Sequence, residues 1–211
     1  MSSDARSFEG DWADWGLEIR EEPTMQVIVM IDASAAMTGR KIDLLASAVD
    51  GGMERLFDSQ QDCVYDITIM SYSDDSNVEG RFWRWADYHK IEYKTGGLSF
   101  KGNALNHALR VLDSLEMEFK DRRIIYHMPW IIFVSDGASN DSTTEVALQL
   151  NKKISENRLG VYAIGYEDCD WSLLEEIAGE NFVGRAENFD LCHAIEQCLE
   201  EDLKVADLSI R

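Results

Sequence analysis

Apolar residues along the chain follow two periods. Unbroken apolar runs, of the kind carried by a strand buried on both faces, occur at Val27–Ile31, at Trp130–Val134 and over GVYAIGY from Gly160. Between them, Arg40–Phe57, Ala104–Phe119 and the stretch from Thr143 to about Asn157 carry apolar residues at helical spacing. Gly51-Gly52 inside the first of these costs helix stability, so it predicts close packing or a kink there. Cys63–Tyr72 reads as another strand. After the turn Ser73-Asp74-Asp75-Ser76-Asn77, the alternating run VEGRFWRWADYH from Val78 predicts a third strand in hairpin with it. Trp83 and Trp85 fall on one face of that run and are assigned to the core. Arg81, Arg84 and Lys90 suit an edge that must not recruit other chains. A helix WSLLEEIAG capped by Asp170, a short strand Asn181–Val183 and a last helix from near Asp190 complete the pattern.

This alternation predicts an α/β fold: doubly wound and Rossmann-like, a mostly parallel six-stranded sheet with one antiparallel edge strand and helices on both faces. A chain of 211 residues suits one large domain. Residues 1–24 read as an acidic N-terminal arm in which Trp12 and Trp15 are available to pack on the domain, and residues 25–211 as the domain itself.

Charge narrows the choice of partner. Twenty basic against 40 acidic residues leave a net charge of −20, which disfavours nucleic acid and anionic lipid and favours cations or basic partners. The apolar runs are too short to span a membrane, and the acidic amino terminus lacks the apolar centre of a signal peptide. Cys63, Cys169, Cys192 and Cys198 show neither CxxC spacing nor the density of a disulfide framework, and the four histidines have no metal-ligand spacing. A reducing, cytoplasmic setting is the expectation.

The chemistry collects where strands end. Asp32 and Ser34 follow the first strand, Ser99 lies in the loop YKTGGLSFKGN, and Asp136-Gly137, with Asp141 beyond, follows Trp130–Val134. In open α/β sheets such ends are where ligands sit. Two carboxylates brought together there repel unless a cation relieves them. Hydroxyl and carboxylate oxygens without sulfur or imidazole suit a hard cation, with magnesium favoured over calcium because so few protein ligands are on offer. Asp74 and Asp75 read as turn formers bordering the site, Lys101 as a solvated lysine, and Glu167, Asp168 and Asp170 as acids near the same rim.

From about Met25 to Leu199 the chain resembles the von Willebrand factor type A (VWA) domain family. The resemblance rests on the metal-ion-dependent adhesion site, whose pattern is DxSxS on loop one, a threonine on loop two and Asp-Gly on loop three. Here loop one reads Asp32-Ala33-Ser34-Ala35-Ala36, loop two GGLSFKGNALNHAL and loop three VSDGASND. Loop two is similar to GGTxLGxALxxAL with one extra residue. Counting back from Gly102 puts Ser99 at the threonine position; counting forward from Gly96-Gly97 puts Leu98 there, and Ser99 is taken because it has the oxygen. The resemblance implies a metal held by Asp32, Ser34, Ser99 and Asp136. The hydroxyls would touch it directly, the aspartates act mostly through water, and a partner's Asp or Glu would take the open position. Ala36 stands where the second serine would be and offers no oxygen. The implied site is therefore a weakened one for Mg2+ (or Mn2+ or Ca2+), weakly held or partner-dependent.

The implied function is a protein–protein interaction module of a bacterial stress, chaperone-ATPase or signalling system, including those of the tellurite-resistance type, and not an enzyme. A structural subunit with a vestigial metal site is the alternative. A magnesium-dependent phosphotransfer or hydrolytic enzyme with Asp32 as nucleophile ranks lower, because DASAA lacks the second acid of a DxD loop and neither GxxxxGK[ST] nor GxSxG is present.

Overall fold

The computed structural model describes residues 23–58, 64–135, 139–166, 169–179, 182–186 and 189–209. Six strands, β1 (Thr24–Asp32), β2 (Val64–Tyr72), β3 (Ser76–Phe82), β4 (Trp130–Ser135), β5 (Gly160–Gly165) and β6 (Val183–Arg185), form one sheet in the order β3-β2-β1-β4-β5-β6. All pairs are parallel except β2–β3, the hairpin at one edge. Four α-helices among the described residues connect them, α1 (Arg40–Asp58), α2 (Lys101–Arg122), α3 (Thr144–Ser155) and α4 (Trp171–Ala178), and α5 (Leu191–Ser209) follows β6.

β1 is buried along its whole length because both of its faces are covered. Val27, Val29 and Ile31 pack with Leu45, Val49 and Met53 of α1 and Ile195 of α5. Ile28 and Met30, pointing the other way, pack with Leu105 and Leu109 of α2, Leu150 of α3 and Ile177 of α4. Each such side chain contributes about 1.5–3 kcal/mol of burial free energy, to be set against the chain entropy lost. Gly52 has the close-packing role its position implies: a Cβ there would lie 2.6 Å from Leu191 Cβ, so α1 and α5 touch through the missing side chain. Asp170 caps α4 by accepting from the Leu173 amide.

The hairpin departs from the expected pattern. β3 stops at Phe82, and Trp85–Asp87 forms a single 3-10 turn, so strict alternation fails beyond that point. Trp83 is buried, but Trp85 is 42% exposed and stacks on Tyr88, not in the core. A bulge shifts the β2–β3 register between Ile69 and Met70 and inverts the parity of β3. Arg81, expected at an exposed edge, consequently lies opposite Thr68 and is buried. It forks onto Asp66 (2.6 and 2.8 Å), reaches Glu118 of α2 at 3.0 Å and lies over the Trp83 ring. Burial alone would lower the guanidinium pKa; Asp66 and then Glu118 hold it above its ordinary value instead.

Candidate functional site

α1 leaves β1 on one face of the sheet and α2 reaches β4 across the other, so the chain's winding reverses between β1 and β4. The carboxyl ends there form the switch point, the place where this architecture builds its ligand crevice. Three segments meet at it: loop one after β1, the turn after β2, and loop two ahead of α2.

Backbone hydrogen bonds lace them together. Gly96 N–H donates to Ala33 O at 2.9 Å, Ala35 N–H to Gly97 O at 3.1 Å and Phe100 N–H to Ser73 O at 3.1 Å. Asp74 does more than form a turn, since its Oδ1 accepts from the Leu98 amide at 2.8 Å. Gly97 is required here. Its φ is +70°, and a Cβ would fall 2.2 Å from Asp74 Oδ2. Loop three joins at Asn140, which exchanges hydrogen bonds with the Ser99 backbone, and at Asp141, whose carboxylate accepts from the Gly102 and Asn103 amides at 2.9 and 2.8 Å. Those are free amides of the first turn of α2, where a carboxylate is favoured.

At the floor of the platform the structure brings together three of the four residues singled out from sequence. Asp32 is fully buried; its Oδ1 accepts from the Ser34 amide at 2.9 Å and its Oδ2 from the Ser99 hydroxyl at 2.9 Å. Of the two counts along loop two, the one from Gly102 matches the geometry. Leu98 is 52% exposed. The Ser34 hydroxyl is buried with no hydrogen-bond partner among the described residues. Ala36 sits exposed in the 3-10 turn Ala35–Met37. Asp136 lies outside the described residues, as do Glu167, Asp168, Cys63, Trp12 and Trp15.

Lys101 corrects the expectation of a solvated lysine. Its side chain is 0% exposed, with Nζ donating to Ser99 Oγ at 2.7 Å and lying 3.6 Å from Asp32 Oδ2. Lysine is almost never fully buried unless it is paired. The sequence carried a signal for this. Counting back from Gly102, Lys101 falls where GGTxLG has its leucine, an inward-facing position given to a charged residue.

The site can be tested for its fit to a divalent ion. The buried, unpartnered Ser34 hydroxyl and the acid–hydroxyl pair Asp32–Ser99 suit one hard cation. The ammonium already stands beside the same two oxygens. Unit charges about 4 Å apart interact by about 4 kcal/mol at an effective dielectric of about 20, and a divalent ion doubles that repulsion. The oxygens fit one cation, not a metal and Lys101 together. No group of three or more His, Cys, Asp or Glu side chains able to hold a metal occurs among the described residues.

A mostly parallel, doubly wound sheet with hydroxyl- and carboxylate-bearing loops at its carboxyl end defines a class of α/β domain built around such a switch point. The von Willebrand factor type A domain profile matches residues 26–198, and the chain belongs to that family. Among solved structures, proximal thread matrix protein 1 from the mussel byssus, with a zinc-occupied MIDAS motif, is 17% identical with a TM-score of 0.57, over 90% of this chain and 47% of that one. The ArnB paralog VWA2 from Sulfolobus acidocaldarius is 20% identical with a TM-score of 0.53, over 77% of this chain and 41% of that one. This chain therefore spans less than half the length of either, and the likeness is one of fold. No curated protein sequence matches it. VWA domains generally act in protein–protein interaction and often bind a divalent metal at this site.

Proposed function

We propose that the chain is a protein-interaction module that presents the carboxyl end of its sheet to a partner protein and acts by binding, without turnover. The observation that carries this reading is the laced platform itself, where backbone hydrogen bonds hold loops from distant parts of the chain around a buried Asp32–Ser99 pair. A surface fixed before the partner arrives loses little entropy on binding. Its upper side offers the exposed methyls of Ala35 and Ala36 and the Leu98 side chain, with Asp74, Asp75 and Glu92 exposed in the neighbouring loops. That combination favours an apolar contact ringed by basic groups. A partner carboxylate aimed at a metal is the less favoured docking mode, since Magnesium, the ion the oxygen set suits, would have to displace Lys101 to bind. A cytoplasmic setting accords with Cys169, Cys192 and Cys198 as buried free thiols. A multi-protein stress, chaperone-ATPase or signalling assembly is the context suggested by family resemblance.

A photo-crosslinking amino acid placed at Leu98 or Ala36 of the full chain in its native host tests the reading. Met117, exposed near the other end of α2, is the control. One protein joined at both rim positions, absent at Met117 and lost on Leu98→Asp, is the expected result. Equal adducts at all three positions, or none at the rim, would sink the proposal.

A further inference from the structure

We propose that the Lys101 ammonium is the resident cation of this site, taking the place that a divalent metal holds in relatives of the fold, so that the domain assembles its crevice without metal. The inference concerns the site's own chemistry and does not depend on the identity of any partner.

Hydrogen-bond direction supports it first. Ser99 Oγ donates its one proton to Asp32 Oδ2, so what it offers the crevice is a lone pair, and Lys101 Nζ takes it at 2.7 Å. A metal ion would call on the same lone pairs of the same hydroxyl. Position supports it second. Lys101 is the first residue of α2, where the helix dipole disfavours a cation. A fully buried ammonium in that place needs anionic compensation, and the fully buried Asp32 carboxylate lies 3.6 Å away.

Two departures from the family pattern then have one cause. Ala36 removes an oxygen donor from loop one, and Lys101 introduces a charge into loop two. A magnesium ion demands near-octahedral oxygen coordination, whereas an ammonium has only three protons to place. A site that carries its cation on a covalent tether can lose a donor oxygen without losing neutralisation of Asp32.

The experiment is Mn2+ binding by electron paramagnetic resonance, with thermal melts in EDTA and in Mn2+, on the full chain and on Lys101→Ala, Lys101→Ala/Ala36→Ser and Asp32→Asn. The wild type should show no specific Mn2+ binding up to millimolar concentration and the same Tm in EDTA as in Mn2+. Lys101→Ala should melt lower in EDTA and recover part of the loss in Mn2+. The double variant should bind Mn2+ at least about tenfold more tightly than the wild type, a gain of about 1.4 kcal/mol. One Mn2+ per wild-type chain, raising Tm and lost in Asp32→Asn, would overturn the proposal. So would a Lys101→Ala protein with an unchanged Tm in EDTA. The wild-type titration decides the matter even where Lys101→Ala does not fold. No readout involves a partner, so failure here leaves the interaction reading standing, and the crosslinking result leaves this one untouched.

Discussion

The two ends of helix α2 each serve a buried ion cluster, and the clusters are built differently. Near its carboxyl end Glu118 joins Asp66 and Arg81, where a planar guanidinium makes a two-pronged contact with one carboxylate, a third bond to another and a ring contact with Trp83. At its amino end Lys101 Nζ donates to the Ser99 hydroxyl and lies 3.6 Å from Asp32 Oδ2, and the neighbouring Ser34 hydroxyl has no hydrogen-bond partner among the described residues. The first cluster uses its donors in fixed, forked geometry and belongs to the architecture. The second is a compact point charge in a crevice at the binding edge of the sheet. Forked, directed bonds hold structure even though Glu118 Oε1, like the Ser34 hydroxyl, has no hydrogen-bond partner among the described residues; a tethered point charge beside a spare hydroxyl leaves room for chemistry.

Asp66→Asn breaks the tighter cluster and should have the largest effect, a loss of about 3–5 kcal/mol in urea unfolding, because Arg81 keeps its charge without its main counter-ion. Lys101→Met should cost less, about 1–3 kcal/mol, since Asp32 still accepts from the Ser34 amide and the Ser99 hydroxyl. If the order of these two is reversed, the crevice is the structural keystone and the comparison fails. Asp141→Ala removes the carboxylate that satisfies two amides of the first turn of α2 and should lower stability by about 1 kcal/mol.

The smallest expected effect is a pH dependence along the same helix. Burial first, and then Arg110, lower the His107 pKa below its ordinary value of 6.5, while its Nδ1 lies 2.7 Å from Ser76 Oγ. A histidine whose folded pKa is depressed favours folding while neutral. Its contribution is present above pH 6.5 and is lost as the pH falls through that value toward the lower folded pKa. In His107→Gln the melting temperature should vary less across that window than in the wild type.

Most of the sheet was legible from the sequence because strands buried on both faces need continuous apolar runs, and Val27–Ile31 and Trp130–Val134 have them. Asp32 and Ser34 were legible for a related reason, as polar residues placed abruptly at the end of such a run. Lys101 and Arg81 were not. A lone basic residue reads as solvated until its acid is found, and Asp32 and Asp66 are brought to them only by tertiary pairing. Trp85 was misassigned because alternation was carried past the end of β3, and the bulge that reorients Arg81 leaves no signature in a string of residue types. Local pattern finds the frame, while charge burial is decided across it.

The central place of β1 also bears on how the molecule comes into being. Val27 pairs with Ile67 on one side and with Trp130 on the other. Both neighbours of β1 come later in the chain, and the second is not made until residues up to Val134 have followed. Folds dominated by such distant pairings form slowly, and an apolar strand waiting for its partner is open to association with other chains. Delayed closure during synthesis, more than any weakness of the finished fold, is where this protein should depend on chaperones.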